Sequence, residues 1–130
     1  TIFGANNPML GEPNLLGARW SKLLINATDL SVDEVSALIE KHGGIVVPAH
    51  INRGSNGMIG ALGLMPFLPQ FPIVEVAKGI DCPAYATKGR FQLHSSDAHR
   101  LEDIQDQVFS IPMKEITAAA AFRFLKMMCG

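Results

Sequence analysis

The apolar positions of this chain fall into short runs separated by turn residues, with two stretches of helical period among them. Residues 1–21 show no regular period; Asn6-Asn7-Pro8 and Glu12-Pro13-Asn14 read as turns, so an irregular lead-in is expected there. Leu23 to Ala27 is a short apolar run suited to a strand. Ser31 with Glu34 three residues on forms a capping box, Val35, Leu38 and Ile39 mark one helical face, and Gly43-Gly44 ends that helix. Ile45, Val46 and Val47 follow at once, a β-branched run of the kind a parallel sheet buries on both faces. A short helix is expected over Met58 to Leu64, with further strands over Ile73 to Ala77, Arg90 to Leu93 and, more weakly, Val108 to Ile111. Thr117 then caps a helix expected to bury Phe122, Leu125 and Met128.

Strands alternating with helices predict an α/β fold with a mainly parallel sheet. In such folds ligands gather at the carboxyl ends of strands. Two polar clusters fall at such ends: His50 just after the Ile45–Val47 run, and His94-Ser95-Ser96-Asp97-Ala98-His99-Arg100 after Leu93.

Composition narrows the function classes. A chain of 130 residues that is 48% apolar can build one core. Eleven basic residues against twelve acidic ones leave a net charge of −1, so nothing draws the whole surface to a polyanion, and any anion site must be local. With one Trp and one Tyr, in different regions, no platform for stacking single-stranded bases is expected. Cys82 and Cys129 are too few for a disulfide framework and too far apart for a zinc knuckle, so both read as reduced thiols and the protein as cytoplasmic. The stretch from Gly54 to Val74 has no charged residue, but three prolines and four glycines interrupt it, so no membrane partner is expected. The chain opens at Thr1 without Met and reads as a piece of something longer.

His50, Asp97 and His99 are the main candidates for chemistry. Imidazole and carboxylate are the usual ligands of zinc, manganese and iron, and Asp-x-His carries two of them past one strand tip. Each also has a plainer reading: His50 as a hydrogen-bonded packing residue, Asp97 as a turn former before Leu101 to Ile104. Arg53 and Arg100 stand just beyond these histidines, where a guanidinium could grip a phosphate or simply be solvated at the surface. Lys78, Lys88 and Arg90 are weaker candidates of the same kind. His94 is read as packing rather than ligand, and His42 as a cation at a helix C-terminus. Glu75, inside an apolar strand, either faces the site or pairs with a buried cation. No serine lies in a nucleophile elbow, and Gly60-Ala-Leu-Gly63 lacks the Lys and Ser/Thr of a P-loop.

Gly43-Gly-Ile-Val-Val-Pro-Ala-His50-Ile-Asn-Arg53, followed by Leu93-His-Ser-Ser-Asp97-Ala-His99-Arg100, resembles the third and fourth motifs of the PHP (polymerase and histidinol phosphatase) family of metal-dependent phosphoesterases. The likeness is clear from about Leu24 to Ile104. It implies a distorted (β/α)7 TIM-like barrel, of which residues 1–130 would be the C-terminal portion of a single domain. It further implies two or three divalent ions (Zn, Mn or Fe) at the strand ends, with His50, Asp97 and His99 among their ligands and Asp97 and His99 in the catalytic set. Arg53 and Arg100 as aids to the phosphate are an inference from their position and not from the motifs. The expected substrate is a phosphorylated small molecule or a short oligonucleotide. The family's first and second motifs, His-x-His and Thr/Ser-Asp-His with a later Glu, do not occur here. They would belong to an upstream half of the domain, and this chain alone should bind metal weakly and hydrolyse poorly. A piece of barrel would also associate with itself through exposed strand edges. The alternative is a non-catalytic metal-binding, regulatory or interaction domain of α/β type.

Overall fold

The computed structural model describes residues 8–10, 16–19, 28–104 and 109–130. The chain divides into two units, residues 1–31 and 32–130. In the first, β1 (Pro8–Leu10) pairs antiparallel with β2 (Leu16–Arg19), with a register shift between Pro8 and Leu10. Two short strands thus fall within residues 1–21, where an irregular lead-in is expected. Of the turn residues noted there, Pro8 instead opens β1, and Glu12-Pro13-Asn14 falls between the two short strands. The strand expected over Leu23 to Ala27 lies outside the described residues.

The second unit is mixed α/β around a small parallel sheet. Helix α1 (Val32–Lys41) has the expected limits, with Asp33 and Glu34 in its first turn and Gly43 in the left-handed region just past its end. Helix α2 (Met58–Leu62) ends on left-handed Gly63, two residues before the expected limit. At Gly60 any side chain would strike the carbonyl of Gly54, so the loop can pack on α2 only through a glycine. Strand β3 (Ile73–Ala77) is followed by helix α3 (Ala84–Thr87) and strand β4 (Phe91–Ser95), which lies parallel to β3 with Glu75 opposite Leu93. Helix α4 (Ala118–Met128) is capped by Thr117, whose hydroxyl accepts from the Ala120 N–H at 3.1 Å.

Strand β3 is buried on both faces, and it supplies four of the eight buried apolar residues among those described. Val74 and Val76 pack with Ile51, Met65, Phe71 and Ala86, while Val46, Met58, Ile59 and Cys82 close the cluster from its margins.

Ile45, Val46 and Val47, by contrast, form no strand and are only half-buried. The residues that follow nevertheless bond to β3. The Glu75 N–H donates to the Pro48 carbonyl at 3.0 Å, and the Ile51 N–H donates to the Glu75 carbonyl at 2.9 Å. A regular parallel ladder would continue with the N–H of residue 48 donating to Ile73, and proline has none. The run therefore makes no ladder with β3. Between Pro48 and Ile51 the chain also carries one residue more than a regular pair allows, a bulge absorbed where His50 adopts φ 28°.

Past the bulge a side chain continues the pairing. The Ala77 N–H donates to Asn52 Oδ1 at 2.8 Å, and Asn52 Nδ2 donates to the carbonyls of Ala77 at 3.0 Å and Ile80 at 2.7 Å. The buried amide thus replaces the missing backbone rung with all its polar atoms in use.

Two cations join the remaining elements. Arg90 Nε donates to the Phe71 carbonyl at 3.1 Å, and its Nη1 donates to the carbonyls of Tyr85 and Ala86 at the end of α3. This engages the side chain in the scaffold. Lys126 Nζ donates to the Gly44 carbonyl at 3.1 Å, past the end of α1. On α4 it is Phe124 that packs inward, edge-on to Phe91 at 5.4 Å, with Leu125 and Met128 half-buried. Phe122 is exposed, contrary to expectation. The helix is apolar nearly all round, so neighbouring tertiary contacts and not its period select the buried face. Phe109 to Ile111 is not a strand, and Val108 lies outside the described residues. Among the described residues no helix is long and apolar enough to cross a membrane.

Replacing Asn52 with leucine strands the N–H and C=O of Ala77 in the interior, each at a cost of about 1–3 kcal/mol. Urea unfolding should show a loss of roughly 3 kcal/mol with little change in slope, and Asn52→Asp, which keeps only the acceptor, should fall between.

Candidate functional site

The site lies where the Pro48–Arg53 turn meets the segment leaving β4. His50 and Asp97 are the two non-glycine residues with positive φ among those described, at 28° and 49°. Asp and His enter positive φ more readily than most side chains, yet the conformation is uncommon for any residue but glycine. Such strain, of order 1–3 kcal/mol per residue, persists only where the surrounding structure imposes it. Here the bulge imposes it on His50, and the exit from β4 imposes it on Asp97.

The two turns bring their side chains together. His50 Nε2 stands 3.9 Å from Asp97 Oδ2, and Arg53 Nη1 makes an ion pair with the same oxygen. His99 Nδ1 lies 4.0 Å from Asp97 Oδ1 and 2.7 Å from the Asp97 carbonyl oxygen. The distances from the imidazoles to the carboxylate exceed a hydrogen bond, so Arg53 is its direct partner, while His99 is held by the Asp97 main-chain carbonyl. The His50 and Asp97 side chains are 22% exposed, Arg53 is 39% and His99 is 64%. Arg53, Asp97 and His99 line an open cavity of about 500 Å³ with Ser96, Glu102 and Asp103. His50 Nδ1 is buried without a hydrogen-bond partner.

Of the sequence candidates, His50, Arg53, Asp97 and His99 are thus adjacent. Arg100 is exposed and is engaged through its carbonyl, which accepts from the Asp103 N–H at 3.1 Å; it does not line the cavity. His94 packs near the Phe109 ring at 5.8 Å. Lys88 lines a second cavity, of about 780 Å³, together with Phe71, Pro72 and Arg90 at the opposite ends of β3 and β4. Cys82 packs against the core, and burial pushes its thiol up, the reverse of what a nucleophilic thiolate needs.

Glu75 faces this site. Its Oε2 accepts from the His50 N–H at 3.3 Å, and its Oε1 accepts from the Ser95 hydroxyl. Sequence reasoning left its direction open. The usable signal was a carboxylate in the middle of an otherwise apolar strand, which needs hydrogen-bonding partners wherever it points.

The donors are of the kind that binds zinc or manganese, but they do not form a complete metal centre. Among the described residues no three His, Cys, Asp or Glu side chains converge where one ion could be held. One Asp97 oxygen is instead paired with the Arg53 cation. Compared with known proteins, the chain matches no family model, no curated protein and no solved structure.

A double-mutant cycle with Arg53→Met and Asp97→Asn should give a coupling of about 1 kcal/mol, the upper part of the range for partly exposed pairs. Chemical denaturation at low salt and at 1 M salt would measure it. Screening should remove much of the coupling, and zero coupling at low salt would show that the pair does not hold the two turns together.

Proposed function

We propose that this chain is part of a metal-dependent phosphoesterase of the PHP type, built on an α/β barrel of the (β/α)7 kind. The observation that carries this reading is the meeting of His50, Arg53, Asp97 and His99 at one rim, from two strained turns far apart in sequence. Those turns follow the carboxyl ends of parallel-running segments, where α/β folds place ligands. In this reading His50, Asp97 and His99 would hold Zn, Mn or Fe ions only together with ligands from an upstream half of the domain. Such ions polarise a phosphoester and supply a hydroxide at neutral pH.

The chain's own residues have simpler tasks. Asp97 aims the Arg53 guanidinium along a cavity that Arg53 itself lines. A planar guanidinium held on one edge keeps further N–H donors for phosphate oxygens. His99, more exposed, is placed to meet whatever enters. The substrate class that the PHP resemblance implies is a phosphorylated small molecule or a short oligonucleotide, and the near-neutral chain leaves any phosphate contact to local groups such as Arg53. Self-association is proposed through β4, whose outer edge pairs with no other strand among the described residues. Sedimentation should show concentration-dependent dimers, and a clean monomer up to high concentration would remove that part of the proposal.

The Arg53–Asp97 pair favours a second reading, an α/β interaction domain whose rim is closed by its own cation. Titrating Zn²⁺ or Mn²⁺ while following histidine ring resonances separates the two. The phosphoesterase reading expects weak responses at His50 and His99 that disappear in Asp97→Ala and survive in His42→Ala. No response, or one that persists in Asp97→Ala, would favour the interaction domain.

A further inference from the structure

We propose that Glu75 is a positioning residue for this rim: its carboxylate ties the His50 turn to the end of β4 and so sets the spacing between His50 and Asp97. A carboxylate flanked in sequence by buried Val74 and Val76 is costly unless both oxygens are used. Here they are used on two different segments. Oε2 takes the His50 N–H, which the bulge has turned out of the backbone ladder, and Oε1 takes the Ser95 hydroxyl. Ser95 ends β4 and stands two residues before Asp97.

The backbone of the same residue reinforces the link. The Glu75 N–H and C=O bond to Pro48 and Ile51, on either side of His50, while the residue pairs with Leu93 in β4. One residue therefore grips both turns that carry the candidate site. Arg53 and Asp97 make the outer connection, nearer solvent, and Glu75 makes the inner one. Breaking the outer pair frees two side chains. Breaking the inner one frees the backbone at His50.

The role predicts different effects for two substitutions. Glu75→Gln can still accept from the His50 N–H with its carbonyl oxygen and donate to Ser95 Oγ with its amide, so it keeps the tie without the charge. Glu75→Leu has a similar volume and keeps neither bond. Rescue by glutamine thus separates a geometric tie from a simple need for negative charge at the rim.

The purpose of the spacing rests on the phosphoesterase reading; the tie itself does not. The test is therefore made first on the metal-free 130-residue chain, by amide exchange and chemical shifts in solution NMR. Glu75→Leu should speed exchange of the His50 amide about tenfold and shift both the His50 and Asp97 resonances, leaving those of α4 in place. Glu75→Gln should restore most of both. Should Glu75→Leu fail to fold, Ser95→Ala removes one arm at small volume cost and should still shift the His50 amide across the sheet. Unmoved His50 and Asp97 resonances in Glu75→Leu, or in Ser95→Ala if that variant must serve, would overturn the proposal. So would a glutamine variant as perturbed as the leucine one. In a second arm Zn²⁺ is added to each variant: a weaker response in Glu75→Leu, restored in Glu75→Gln, supports the positioning role. A wild-type chain that ignores Zn²⁺ overturns the metal reading alone, since the metal-free arm has already decided on Glu75.

Discussion

The described part of the larger unit depends on the bonding of β3 along both of its edges. On one side β4 supplies a regular parallel ladder. On the other, Pro48, Ile51 and the Asn52 amide supply a ladder in which a proline removes one rung and a side chain makes another. A strand satisfied on both edges can be buried on both faces, and β3 is. On its irregular edge the backbone groups of Glu75 bond to Pro48 and Ile51 and those of Ala77 bond to Asn52, which lowers the main-chain desolvation cost of burying Val74, Val76 and Ala77. The surrounding helices then have a fixed surface on which to pack.

The irregular edge of β3 is also where the candidate chemistry lies. A continuous strand through residues 45–52 would alternate its side chains above and below the sheet, with no freedom to turn His50 toward Asp97. The bulge between Pro48 and Ile51 breaks that alternation, and the strained backbone at His50 is its local cost. Asp97 shows the same trade on the neighbouring turn. Strain, charge pairing and a solvent-open cavity therefore coincide at one end of the sheet. The other end is lined by Pro72, Phe71 and three glycines, with Arg90 tied to backbone carbonyls.

Much of this was legible in the sequence where the signal was local. Capping residues, glycine stops and apolar runs marked α1, α2, β3, β4 and α4 to within a few residues, because each depends on its own neighbours in the chain. The β1–β2 hairpin and the unladdered Ile45–Val47 run were not legible. Pairing is a non-local property, and a β-branched run does not reveal that the proline after it lacks the donor its partner strand needs. Phe122 and Phe124 were interchangeable by pattern on a helix that is apolar nearly all round. At the site, His50, Arg53, Asp97 and His99 could be named by residue type and by their place after apolar runs. Asn52 and Glu75 could not be assigned their parts, since both act through main-chain groups some 25 residues away.

Lys126 has a consequence for the order in which the chain assembles. Its ammonium reaches the Gly44 carbonyl across 82 residues of sequence, and Phe124 meets Phe91 across a further long separation. Contacts that close such large loops cost chain entropy before they return any stability. The C-terminal helix must therefore wait for α1 and β4 to be in place before it can dock. On a ribosome α4 also emerges after β4, so the Phe91 ring stays uncovered until Phe124 arrives to pack on it.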